Sequence, residues 1–130
     1  MDSNVNSHIE YYASDLLKGL PFSAAVRVGR MLYLSGQIGI DTSGKVVPGG
    51  VVAETRQAIE NIRGILEHHG SSLDRVIKVT VMLADMNEWV LMNTVYISYF
   101  QKHLPARSSF GTTGLALGAR VEIECVAVLN

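Results

Sequence analysis

The spacing of hydrophobic positions changes several times along the chain, and each change predicts an element. "AAVRVG" (24–29) and "RMLYLSGQIGI" (30–40) are apolar runs with β-branched and aromatic residues, and they predict two strands. Gly29 between them predicts a hairpin turn. "DTSGKVVPGG" (41–50) is a loop by its Gly, Pro and Ser content. In "VVAETRQAIENIRGILEHHG" (51–70) the period lengthens to that of a helix. Val52, Thr55, Ile59, Ile62, Leu66 and His69 recur at spacings of three and four, with Glu54, Gln57, Glu60, Asn61, Glu67 and His68 expected on the other side. Gly70 is the expected stop.

The alternating period returns in "RVIKVTVMLA" (75–84), a strand with Ile77, Val79, Val81 and Leu83 expected on one side. "MNEWVLMNTVYISYFQKHL" (86–104) predicts a second helix with a stripe of Trp89, Met92, Val95, Tyr96, Tyr99 and Phe100, closed by Pro105. "RSSFGTT" (107–113) and "ARVEIECVAVLN" (119–130) predict the last strands. The order is ββαβαββ, with roughly five strands and two helices. That order predicts an α+β domain with both helices on one face of a sheet. One domain is expected to span residues 1–130, with the order of residues 1–19 left open.

Two helices cover only one sheet face. In 121–128, Val121, Ile123, Cys125 and Ala127 share one side, and Glu122, Glu124, Val126 and Val128 share the other. Both sides of 31–38 are largely uncharged. An uncovered face of this kind is a contiguous apolar patch that a monomer seldom leaves in water. A homo-oligomer that buries this face is therefore expected.

Composition narrows the classes. The chain is 48% hydrophobic and 18% charged, which fits a globular core. Net charge is −1, and no run or stripe of Lys and Arg exists, so nucleic acid is not the expected partner. A single cysteine, Cys125, excludes an intrachain disulfide and fits a reducing compartment. "MDSNVNSHIEYY" lacks the order of a secretory signal, and no apolar run approaches the roughly 20 residues of a membrane span. A soluble, cytoplasmic protein with no membrane partner is expected.

Few residues stand out for chemistry. Arg107, in "HLPARSSFGTT" (103–113), has no acid nearby in sequence; the nearest are Glu88 and Glu122. Its planar fork suits a carboxylate, and an exposed arginine or an interface ion pair is the plain alternative. Glu122 and Glu124 point the same way from an otherwise apolar strand. Burial would raise a carboxyl pKa and suit acid–base work, whereas a solvated face or pairing with an arginine is the plain alternative. His68 and His69 suit a helix C-terminus. Cys125 is expected in the core. No HExxH, cysteine pair or zinc-like ligand spacing occurs, so a metal is not expected, and the glycine stretches match neither a phosphate loop nor a dinucleotide fingerprint.

Several stretches together resemble the RidA/YjgF family, the reactive-intermediate deaminases or L-PSP group. They are "SGQI" (35–38), "QAIENI" (57–62), "VIKVTVML" (76–83) with Asp85, "MNTVYISYF" (92–100), "PARSS" (105–109) and "VEIECVAV" (121–128). The resemblance runs from about residue 20 to the end of the chain, and "PARS" followed by "VEIE" is its most specific part. It implies a chorismate-mutase-like α+β fold and a homotrimer whose sheets form a central barrel. It implies hydrolysis of enamines and imines, such as 2-aminoacrylate and other 2-imino acids, to 2-oxo acids and ammonia in a cleft between subunits, without a cofactor or metal.

By position, the resemblance makes Arg107 the clamp for the substrate carboxylate and Glu122 the acid that activates water. Phe22, Ser35, Gly36, Asn93 and Ser109 become substrate-binding positions. Phe22 stands where many members carry tyrosine, Ser109 where many carry cysteine, and Ala116 where proline is common. The alternatives are a non-catalytic trimer that binds a 2-oxo acid or other small carboxylate, and an endoribonuclease or translation inhibitor.

Overall fold

The structure is a computed structural model and describes residues 8–130. Six strands and two helices follow one another in these residues: β1 (Ile9–Tyr12), β2 (Ala25–Val28), β3 (Met31–Ile38), α1 (Gly50–His68), β4 (Val76–Leu83), α2 (Trp89–Tyr99), β5 (Ala106–Gly111) and β6 (Val121–Val128). They form one sheet in the order β1-β2-β3-β6-β4-β5. Among the described residues only β4 and β5 run parallel. A parallel pair needs a crossover, and α2 supplies it. Among the described residues no helix is long and apolar enough to cross a membrane.

Both helices pack on one face. The alternation read from β6 holds: Val121, Ile123, Cys125 and Ala127 are buried beside Val79, Val81 and Leu83 of β4 and Leu32 and Leu34 of β3. Ala58, Ile59, Ile62 and Leu66 of α1, with Met92 and Tyr96 of α2 and Phe100 just past its end, close the core from above. Full burial of one such large aliphatic side chain is worth about 1.5–3 kcal/mol, so this layer dominates the fold's stability. The opposite face leaves Tyr33, Ile77 and Phe110 exposed, as the two-helix order implies. The hairpin turn is at Gly29 (φ 58), and α1 stops before Gly70 (φ 85), both where expected.

Four expectations change. Ile9–Tyr12, in the segment whose order was left open, forms an edge strand on β2; residues 1–7 of that segment lie outside the described residues. Ile77 does not share the side of Val79, Val81 and Leu83. The β4–β6 register shifts between Val76 and Lys78, so Val76 is buried and Ile77 is 47% exposed. Glu54 is buried at 4% rather than on the polar side of α1, because its Oε1 accepts the Arg120 backbone N–H at 2.8 Å. The second helix is shorter than the 86–104 pattern. Met86–Glu88 is a 3₁₀ turn whose Asn87 N–H donates to the Asp85 carboxylate at 2.9 Å. At the other end Phe100 leaves helical geometry (φ −122, ψ 58) while it remains in the core, five residues ahead of Pro105.

Candidate active site

The site residues, apart from Ser109, fall into two separate hollows. The first is a groove of about 560 Å³ between the flank of α2 and the start of β5. Trp89, Val90, Asn93, Tyr96, Ile97 and Arg107 line it. Pairing of β4 with β5 places Arg107 opposite Val79 and Ser109 opposite Val81, so both side chains project to the helix-covered side. Arg107 is half-buried, not exposed, and none of the ion pairs among the described residues includes it. Its guanidinium carbon lies 4.7 Å from the Tyr96 ring centre and 5.8 Å from that of Trp89. The Ser109 and Tyr96 hydroxyls are buried without a hydrogen-bond partner. Burial pushes the Tyr96 phenol up, against the pull of Arg107.

The second hollow, about 290 Å³, is lined by Phe22, Ser35, Gly36, Glu122 and Glu124. A β-bulge builds it. The β3–β6 register jumps from Leu34–Cys125 to Gln37–Ile123, so Ser35 and Gly36 together oppose Glu124. The Ser35 hydroxyl donates to the Ser23 carbonyl at 2.6 Å, which ties the bulge to the segment that carries Phe22. Gly36 is needed for space. A β-carbon there would sit 2.8 Å from the Glu122 carboxyl carbon. Glu122 is half-buried, and burial first, then the neighbouring Glu124 charge, raises its carboxyl pKa. A carboxyl shifted this way is a stronger base when ionised.

Sequence position alone did not reveal how the residues divide. Arg107, Asn93 and the first groove stand on one side of the sheet, and Phe22, Ser35, Gly36 and Glu122 belong to the other hollow. Within one chain the structure does not bring Arg107 and Glu122 together. Trp89 and Tyr96 were read only as helix stripe, yet both face Arg107. The available signal was an arginine without a local acid next to an aromatic-rich helix.

The remaining candidates are structural. His69 stacks on Tyr12 with ring centres 3.9 Å apart, pinning β1 to the end of α1. Burial, then the nearby His68, lowers its pKa, which favours the neutral ring over the cation expected at a helix end. Cys125 is in the core, and burial followed by the Glu124 charge pushes its thiol up to about 12.

Comparisons with known proteins identify the family and the fold. The family model described as endoribonuclease L-PSP matches residues 15–129. The 2-iminobutanoate/2-iminopropanoate deaminase of Mus musculus is 50% identical over 109 residues, covering 83% of this chain and 81% of that protein. The Homo sapiens protein of the same name is 45% identical, covering 83% and 80%. The crystal structure of yeast Mmf1 superposes with a TM-score of 0.89 at 34% identity, covering 95% of this chain and all of that one (100%). RidA from the Antarctic bacterium Psychrobacter sp. PAMC 21119 gives 0.86 at 32% identity, covering 92% and 99%. With its sheet, both hollows and nearly its whole length inside these matches, the chain belongs to the L-PSP family, the group also called RidA/YjgF.

Proposed function

We propose that this protein hydrolyses the C=N bond of 2-imino acids, and of the enamines that tautomerise to them, giving a 2-oxo acid and ammonia. The observation that carries this reading is Arg107: a half-buried guanidinium, lining a groove, with no acid paired to it among the described residues. A substrate carboxylate is the matching partner for its fork. The relatives named as 2-iminobutanoate/2-iminopropanoate deaminases supply the reaction class.

The site is composite. Arg107, Asn93 and Ser109 of one subunit face Phe22, Ser35, Gly36 and Glu122 of its neighbour in a homotrimer, the sheets forming a central barrel. The separation of the two hollows on opposite sides of the sheet, and the uncovered face with Tyr33, Ile77 and Phe110, support this assembly. The single buried thiol of Cys125 suits the reducing cytoplasm.

The steps follow from the residues. Arg107 fixes the substrate carboxylate, which places the adjacent imine carbon. Glu122 removes a proton from water as the oxygen attacks that carbon and passes it to the imine nitrogen, giving a neutral carbinolamine. Glu122 then takes the remaining hydroxyl proton and delivers it to the amine, so that the carbonyl forms as the C–N bond breaks and ammonia leaves. Water and imine are consumed in equal number, and no oxidant or cofactor enters.

Subunit mixing tests both the reaction and the composite site. Arg107→Ala and Glu122→Gln should each abolish accelerated loss of an imine generated in situ by an amino-acid oxidase. Co-refolded together, they should recover part of the activity, because some clefts then join an intact arginine to an intact glutamate. Full activity in either single variant, or no recovery from properly assembled mixtures, would contradict the reading. Binding of 2-oxo acids without turnover of any imine would leave a carboxylate-binding trimer instead.

A further inference from the structure

A half-buried arginine is ordinarily held by carboxylates or carbonyls, which occupy its N–H groups. Arg107 is held differently. Tyr96 and Trp89 present their rings to the guanidinium carbon at 4.7 and 5.8 Å, both within cation–π range, and no ion pair among the described residues includes it. A ring contact acts on the flat face of the guanidinium through the ring's negative face. Among the described residues no side-chain hydrogen bond includes Arg107 either, so its N–H donors are left for another partner. An acidic partner would do the opposite: it would fix the arginine and also neutralise and cap it.

We infer that Trp89 and Tyr96 form an aromatic cradle that positions Arg107 with its in-plane donors directed to a substrate carboxylate. They are positioning residues, acting through Arg107. The inference rests on the deaminase reading above and deepens it. The two rings have different anchorage. Tyr96 is 5% exposed and belongs to the core, tilted against Phe100 at 4.6 Å between ring centres. Trp89, at the first turn of α2, is 40% exposed at the groove and can be replaced without opening the core.

Trp89→Leu and Trp89→Phe are therefore the informative pair, since leucine keeps apolar bulk without a π face and phenylalanine restores one. KM and kcat would be measured with 2-iminobutanoate generated in situ. Inhibition constants would be measured for 2-oxobutanoate and for its uncharged amide. Trp89→Leu should raise KM by about 2- to 30-fold, the span of one cation–π contact, with kcat falling less than KM rises. Its preference for 2-oxobutanoate over the amide should shrink, and Trp89→Phe should recover most of both. A purely structural tryptophan would not alter that carboxylate preference. If the wild type is active and Trp89→Leu keeps its KM and preference, or if Trp89→Phe is as impaired as leucine, the cradle is overturned while the deaminase stands. If the wild type neither turns over an imine nor binds a 2-oxo acid, both readings fall.

Discussion

Arg107 and Glu122 stand on opposite faces of the sheet. Both belong to strands that flank β4, but Arg107 pairs with Val79, whose side chain enters the core, and Glu122 pairs with Met82, one face over. Within one chain they line separate hollows. On the proposed reading, chemistry that uses both draws them from two subunits.

Arg107→Lys keeps the charge and removes the planar fork. Since no ion pair among the described residues includes Arg107, the fold should be unaffected. The kcat/KM on 2-imino acids should fall by about tenfold or more, the scale of one charge-assisted contact. Steady-state kinetics with an unchanged melting temperature would check this, and wild-type kcat/KM would refute bidentate recognition.

Glu122→Gln should lose turnover, keep 2-oxo acid binding and melt higher at neutral pH. Burial raises the carboxyl pKa of Glu122, so the folded chain holds that proton more tightly than the unfolded chain. The stability linked to that proton is present at pH below the unfolded carboxyl pKa and is lost as pH rises through the folded one. At neutral pH the ionised group is therefore unfavourable to the fold, and glutamine relieves it. The acid limb of the wild-type pH–rate profile should lie above the ordinary carboxylate range. Glu124→Gln should move it down, because the Glu124 charge is the second cause of the shift. Calorimetry and pH–rate profiles decide both points.

Gly36→Ala should impair activity far more than stability. The added methyl meets the Glu122 carboxyl group, which must swing aside. The atoms it meets are the end of a side chain and not backbone, so the loss of stability should stay within about 1 kcal/mol. A large fall in kcat at a nearly constant melting temperature is the expected pattern; a collapse in melting temperature would mean that the bulge itself cannot accept a side chain.

Val126→Asp tests the open face. Val126 is half-buried there, with Tyr33 and Lys78 as its cross-strand neighbours. A charge at this position should dissociate the assembly, read as a lower mass by light scattering, and activity should go with it. A fully active trimer would show that the assembly buries some other face.

Much of this protein was legible from the order of its residues because the information was local. Period two in 121–128 and period three to four in 51–70 report which side meets the core, and both survive packing almost unchanged. Gly29 and Gly70 mark their turns because only a residue without a β-carbon takes those positive φ angles at low cost. The departures come where pairing overrides pattern. Ile77 continues a good alternation, yet the β4–β6 register shift puts it on the open face. Glu54 looks like a surface acid, yet one backbone N–H from Arg120, far along the chain, draws it inside.

The sequence by itself determined the strand and helix order, the apolar face of β6, the acid pair on its other side, and the motifs that mark Arg107 and Glu122. Only the tertiary structure decided that these two residues are on opposite faces and that Ser35 and Gly36 form the bulge beneath Glu122. The tertiary structure also gave Arg107 aromatic rings in place of an acid. The physical reason is that a side chain's direction follows from its own strand, whereas its neighbours follow from strand order and register. Those are set by contacts far apart in the chain, such as Val79 with Arg107 and Leu34 with Cys125, which no local spacing encodes.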